Sequence, residues 1–260
     1  MRFIDSIISM YLTFKRNHFH LFKQGKLLKT FRNKHKGRRC FIIGNGPSLT
    51  ANDLNKIKRN NDISFAFNRI YHIYKQTDWR PTYYISQDEK LLSGCIQEVN
   101  NHIDSIKFIP IELKWYNKIN IKNAFYFHII NKEANDNKPH FSENISRYIV
   151  NSKTVVFSAI QIAVYMGIKE IYLIGVDHHF HISKNQNGEI IIDNTDKDYF
   201  SEEYNKDKQN LYIPNTDLST FTYLSAKEYA DEHGIKIYNA TRGGKLEVFP
   251  RVDFNTLFKR

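Results

Sequence analysis

From Arg39 onward the chain alternates short runs of β-branched and aromatic residues with longer helical patterns, and that alternation sets the fold class before any single residue is weighed. Strands are predicted near 39–44 (RCFIIG), 63–67 (ISFAF), 82–86 (TYYIS), 106–109, 124–129 (AFYFHI), 170–175 (EIYLIG) and 235–239 (IKIYN). Helices are predicted over 50–59, 155–167 and 217–233. The second places Ile160, Ala163 and Val164 on one face and stops at Gly167, and the third opens at Asp217 and ends at Gly234. Strands alternating with helices predict an α/β, Rossmann-like fold over residues 38–260: a mostly parallel sheet with helices on both faces.

At 260 residues with 41% apolar side chains, the chain can bury one full core. No apolar run approaches the roughly 20 residues that a spanning helix needs. The two cysteines, Cys40 and Cys95, are too few for a disulfide framework and fit a reducing cytoplasm.

Charge is unevenly divided. Residues 1–39 hold eleven Lys or Arg against one acid, Asp5, so this stretch accounts for +10 of the net +11 and leaves the body nearly neutral. Apolar residues recur there at helical spacing: Phe3, Ile4, Ile7, Ile8, Tyr11 and Phe14, then Phe19, Phe22, Leu27, Leu28 and Phe31. Residues 1–37 therefore read as a basic amphipathic arm. Such an arm suits an anionic membrane surface, met through residues 1–39 at the cytoplasmic face, and equally a helix packed on the domain with its basic face in water. The charges follow the apolar stretch, unlike those of a cleavable signal peptide. Nucleic acid is not an expected partner, because no recognised module is present and the body has no basic surplus. An oligomer is compatible with the sequence.

Residues 183–209 turn polar directly after a strand and read as a lid, with few side chains able to anchor them in a core. The motif that most resembles chemistry is Phe41-Ile-Ile-Gly-Asn-Gly-Pro-Ser-Leu49, an apolar strand running into a glycine turn and a helix. Gly44 and Gly46 allow close backbone approach, and the helix start offers unpaired N–H groups to a phosphate. The segment is neither GxGxxG nor a Walker loop. Other predicted strands end at Asn68, Asp88 and Asp177, and polar strand ends in one sheet outline the crevice where open α/β sheets bind ligands.

Asp177 is followed by His178, His179, Phe180 and His181, histidines that suit a general base, a phosphate donor or metal ligands. A zinc site is not expected, because nothing completes a ligand set. Asp196-Lys197-Asp198 has a spacing used to hold a metal on a diphosphate, a pairing that arises often by chance in so polar a loop. After the last strand, Gly243 and Gly244 free the backbone while Arg242 and Lys245 offer cations to phosphate or acidic-sugar oxygens.

IIGNGPSL, the Asn68 strand end and MGIKEIYLIGVD resemble segments of bacterial lipooligosaccharide sialyltransferases, whose Rossmann-like domain binds a CMP-activated sialic acid. Together with RPTYYISQD and YNATRGGKLEVFPRV, they resemble still more the 6-hydroxymethylpterin diphosphokinase MptE-like family, which includes motility-associated flagellin glycosyltransferases. The resemblance runs from about Arg38 to Phe254 and leaves the arm aside. It implies that Asn45, Gly46, Ser48, Asn68 and Thr154 contact a nucleotide, with Asp177 near its ribose or phosphate. Where the sialyltransferase pattern has a tyrosine two positions after the aspartate, this chain has His179. Where it has a catalytic histidine before Asn215-Thr216-Asp217, this chain has Tyr212, so His179 or His181 would serve as base.

The expectation is thus a glycosyltransferase moving a sugar, such as a sialic acid-like one, from a CMP-type nucleotide-sugar donor to a bacterial glycan acceptor, with no cofactor or metal required. The first alternative is an ATP-dependent diphosphokinase using Mg²⁺ on carboxylates such as Asp88 and Asp177. The second is a non-catalytic nucleotide-binding scaffold.

Overall fold

A computed structural model describes residues 2–133, 138–179, 182–184, 190–192, 197–205 and 215–258. Its centre is a seven-stranded sheet built from β1 (Arg39–Ile43), β2 (Ile63–Phe67), β3 (Tyr83–Ile85), β4 (Ile106–Pro110), β5 (Ala124–Phe127), β8 (Glu170–Ile174) and β11 (Lys236–Asn239). Their spatial order is β11-β8-β1-β2-β3-β4-β5, and every pairing is parallel. The fold is α/β and Rossmann-like, as expected. β1 lies between β2 and β8, with Cys40 paired to Ile63 on one side and Ile171 on the other. The chain steps outward from β1 to β5, then returns to the other flank of β1. That reversal creates a crevice at the C-terminal ends of β1 and β8.

The strands of a parallel sheet are buried on both faces, which is why they read as unbroken apolar runs. All five residues of β2 are buried. One face is covered by α7 (Val155–Tyr165), which packs on β1, and by α8 (Thr216–Glu232), which packs on β11. The other face stacks Phe41, Tyr172 and Tyr238 and is closed by Phe254 and Phe258. The helix α3 (Ala51–Arg59) joins that cover through Lys56, whose Nζ donates to Asn255 Oδ1 at 2.7 Å. Two small pairs stand apart: β6 (Ile129–Ile130) with β7 (Ile149–Val150), and β9 (Ile182–Lys184) with β10 (Ile190–Ile192). The run expected at 124–129 breaks after Phe127. The buried His128 Nδ1 meets Glu112 Oε1 at 2.5 Å, and Glu112 Oε2 accepts from the Ile129 amide.

The N-terminal residues divide into two parts. In α1 (Arg2–Asn17), Ile7, Met10, Tyr11 and Phe14 are exposed, whereas Phe19, Leu28 and Phe31 are buried in the main core. Beyond α2 (Lys23–Lys29), the Phe31 ring packs edge-on against Tyr83, Phe108 and Phe125, with centroids 4.9–6.2 Å away. His35 Nε2 lies 2.6 Å from Tyr83 Oη, and the Asn33 and His35 amides donate to the Tyr165 and Met166 carbonyls at the end of α7. Residues 19–36 are therefore a strap across the sheet. Spacing alone did not separate them from α1, because the Phe31 contacts come from three distant strands.

Both sheet edges have company. The Tyr126 amide of β5 donates to Gln24 Oε1 at 3.1 Å, and Asn239 of β11 exchanges bonds with Pro250 and Val252. Among the described residues no helix is long and apolar enough to cross a membrane.

The strap predicts unequal costs. Phe31→Ala is expected to lower unfolding free energy by about 3–5 kcal/mol, whereas Phe14→Ala should stay within about 0.5 kcal/mol. Urea titration of both variants checks this, and equal losses would remove Phe31 from the core.

Candidate functional site

The tips of β1 and β8 remain in hydrogen-bond contact beyond the strands: the Gly44 amide donates to the Ile174 carbonyl at 2.8 Å and the Gly46 amide to the Gly175 carbonyl at 2.9 Å. A Cβ on Gly46 would land on Asp177 Oδ2, and one on Gly44 would land on the Gly175 carbonyl oxygen. No other residue type fits there. This proximity lets the Ser48 hydroxyl donate to Asp177 Oδ2 at 2.8 Å. The Lys245 amide in turn donates to the Asp177 carbonyl at 2.7 Å, drawing the loop after β11 to the same point.

A cleft of about 730 Å³ opens at these tips. Gly44, Asn45, Gly46, Asn68, Asp88, Thr154, Asp177 and His179 all line it, so one site gathers eight of the residues singled out in the sequence. Asn45 is buried: its Nδ2 donates to the Phe67 carbonyl at 3.2 Å and to Tyr204 Oη at 3.3 Å, while its Oδ1 has no hydrogen-bond partner among the described residues. Asn68 adopts φ +51° and accepts from the Ser86 hydroxyl at 3.1 Å. Asp88 caps α4 (Glu89–Ser93) by accepting from the Leu91 amide at 3.0 Å.

Two longer helices begin at the cleft. Thr154 caps α7 through the Val156 amide, and Asn215 caps α8 through the Leu218 amide. Their first turns bring unpaired N–H groups and two positive dipole ends to one side, a setting suited to an anion. The other side is closed by residues 197–205 of the polar insertion, which are anchored where the sequence suggested few anchors. Tyr204 is 2% exposed, Tyr199 stacks on it at 4.0 Å, and the Phe200 amide donates to the Asn45 carbonyl. Arg69 adds a bond from Nη1 to the Tyr204 carbonyl at 2.7 Å. Asp198 lines the cleft and is buried, whereas Asp196, Tyr212 and His181 lie outside the described residues.

Burial dominates the electrostatics. It pushes the Asp177 carboxyl above the usual carboxylate range against the pull of the Ser48 hydroxyl, and raises Asp88 against its backbone donors. Burial also lowers the proton affinity of His178, with Asp217 opposing it. The His178 Nε2 lies 2.8 Å from Thr220 Oγ1. Tyr204 and Tyr223 are pushed up to about 12, so both phenols stay protonated. His179 points Nε2 at Lys245 Nζ, 3.5 Å away. There a ring nitrogen can accept a hydrogen bond from the ammonium.

Ser48 and Lys245 touch the site through Asp177 and His179 without lining the cleft, and Arg242 is turned elsewhere. Its guanidinium grips Asp53 with both nitrogens, at 2.6 and 2.5 Å, fastening the loop after β11 to the buried N3 residue of α3. Tyr199, Tyr204, Gln87 and Tyr223 line the cleft without having been singled out. Three aromatics inside so polar a stretch, Tyr199, Phe200 and Tyr204, were the available signal.

The profile of the family described as 6-hydroxymethylpterin diphosphokinase MptE-like matches residues 13–183. The chain belongs to that family. No curated protein matches this MptE-like chain. Among solved structures it is similar to the MAf glycosyltransferase from Magnetospirillum magneticum AMB-1, at 14% identity and a TM-score of 0.51. That alignment covers 90% of this chain but only 38% of that protein, so the chain corresponds to well under half of the larger molecule. It also aligns with the sialyltransferase CstII from Campylobacter jejuni, solved with the substrate analogue cytidine-5'-monophosphate: 20% identity, a TM-score of 0.48, and coverage of 84% of this chain and 85% of that one. At 14% identity the property shared with the Magnetospirillum protein is the fold.

Two outcomes follow for the MptE-like site. Gly46→Ala should break the Ser48–Asp177 bond and displace the turn, seen as a lowered melting temperature and an altered amide spectrum around residues 44–48 and 175–177; a spectrum like wild type would show that the turn tolerates a side chain. For pH, folded His178 binds a proton more weakly than unfolded histidine, so stability from this group is present above about 6.5 and is lost as pH falls through that value toward the lower folded one. Melting curves across that window should show a smaller acid loss in His178→Gln, and an unchanged loss would assign it to other groups.

Proposed function

We propose that this chain is a glycosyltransferase that moves a sugar from a nucleotide-activated donor, CMP-linked in the leading form, to a glycan hydroxyl. The observation that carries the reading is the closure of the Gly44–Ser48 turn on Asp177 at the switch point of the sheet, beside the helix starts that favour a phosphate. The donor's phosphate would lie over that turn, in reach of Lys245 and the first turn of α7 at Thr154. Asn68, Asp88 and Asp177 would order the nucleoside.

In the chemical step the acceptor hydroxyl gives its proton to a histidine as its oxygen bonds to the anomeric carbon. The bond from that carbon to the phosphate oxygen breaks, and its electron pair leaves with the nucleotide. His179 is the described candidate for base, with His181 as the second. Lys245, beside that imidazole, would stabilise the departing phosphate. Arg242 would act by fixing the Lys245 loop to α3.

Membership of the MptE-like family favours a second reading, pyrophosphoryl transfer from ATP. Asp88 and Asp177 line the one cleft and offer the oxygen ligands that Mg²⁺ takes, so they would hold that ion on the nucleotide phosphates.

Thermal-shift titrations with CMP, CDP, UDP, GDP and ATP, each with and without Mg²⁺, separate the readings. Stabilisation by CMP without metal is expected, and stabilisation by Mg-ATP alone would replace the first reading by the second. With an active donor, His179→Ala should lower kcat by about 10²- to 10⁴-fold while CMP binding persists. A cellular effect intact in His179→Ala combined with His181→Ala would indicate a scaffold.

A further inference from the structure

The positive charge and the exposed apolar side chains of this chain gather in the same region. Ile7, Met10, Tyr11 and Phe14 of α1 are all exposed, and their spacing of three, four and seven places them on one stripe. Ser9, Thr13 and Arg16 occupy positions on the other side. Lys15 lies at the border of the stripe, its Nζ 4.5 Å from the centre of the Tyr11 ring and 5.6 Å from that of Phe22. A lysine stem lying along apolar surface with its head at the edge is the arrangement suited to a water–hydrocarbon boundary. Around the stripe, α1 and α2 carry Arg2, Lys15, Arg16, Lys23, Lys26 and Lys29 against Asp5 alone, whereas Arg38 and Arg39 lie at the start of β1, at the other end of the sheet.

The strap fixes where this helix leaves the domain. The Phe19 ring packs on His128, the first residue past the C-terminal end of β5, at 5.8 Å. α1 therefore departs from the end of the sheet that bears the cleft. Outside residues 1–30, the large apolar side chains that stay exposed among the described residues are Tyr116, Leu218 and Phe221. Tyr116 follows α6 (Ile111–Trp115), which starts at the C-terminal end of β4. Leu218 and Phe221 lie in the first turns of α8, and Leu218 itself lines the cleft. The stripe, the basic residues of α1 and these three side chains thus share one end of the molecule.

We propose that this end rests on an anionic bilayer, with α1 lying in the interface on its Ile7–Phe14 stripe and the cleft opening toward the membrane, so that the acceptor is carried by a lipid. The lipid-borne acceptor rests on the glycosyltransferase reading; the docking does not. A second copy fits the surface poorly, since a two-fold contact would press one run of lysines and arginines against its twin. The stripe has four apolar side chains to bury, and hydrocarbon takes them while anionic headgroups take the cations.

The full chain is sedimented with vesicles of phosphatidylglycerol and phosphatidylcholine in equal parts, and with phosphatidylcholine alone. Binding is expected to the first and not the second, and to weaken as salt is raised. Met10→Glu with Phe14→Glu should reduce the partition coefficient by about tenfold or more, with an unchanged melting curve because both side chains are exposed. An environment-sensitive dye on Tyr116→Cys should shift to the blue on binding while the same dye on Lys236→Cys, at the far end of β11, should not. Equal affinity for both vesicles, a concentration-dependent dimer without vesicle binding, or a blue shift at 236 alone overturns the proposal. The nucleotide titrations above are run without lipid, so a failure there sinks the donor reading and leaves the docking to be judged by the vesicles.

Discussion

Beyond the last paired residues of β1 and β8 the two chains stay in hydrogen-bond contact because Gly44 and Gly46 present no side chain to Gly175 and Asp177. This close approach sets the position of everything around it. It brings the Asp177 carboxylate within reach of Ser48, and it gives Lys245 a carbonyl to hold. It turns Asn45 inward between Phe67 and Tyr204. The polar insertion then docks on the Asn45 carbonyl through Phe200, so even the remote wall of the cleft is referred to the same turn.

The sheet was legible because a strand buried on both faces needs an unbroken run of β-branched and aromatic residues, and ISFAF or EIYLIG leaves little choice. The polar strand ends were legible for a related reason: Asn68, Asp88 and Asp177 interrupt apolar runs where only a crevice or a cap accommodates them. Other parts were not. α5 (Ile96–His102), like α4 and α6, is too short for a helical period to stand out. Tyr204 sits among lysines, aspartates and asparagines, and its burial comes from Asn45 and Arg69, more than a hundred residues away. Arg242 read as a free cation because its partner, Asp53, lies 189 residues earlier in the chain, and the pairing exists only once the last strand lies near α3.

The family match and the cleft divide the chain differently. The matched segment ends at residue 183, yet residues 197–205, the start of α8 and the loop holding Lys245 complete the site. The glycine turn thus belongs to the part shared with the family profile, whereas the wall facing it comes from later sequence. Such a division lets one half stay constant while the other is varied, which is how a common fold comes to host different chemistries.

The blunted borders of the sheet bear on how copies of this chain can meet. A bare border strand offers a row of unpaired amides and carbonyls that another chain can zip onto. Here a glutamine side chain occupies one border and a short returning segment the other. Growth of the sheet from molecule to molecule is thereby discouraged at both ends, and contact between copies is left to side chains on the helical faces.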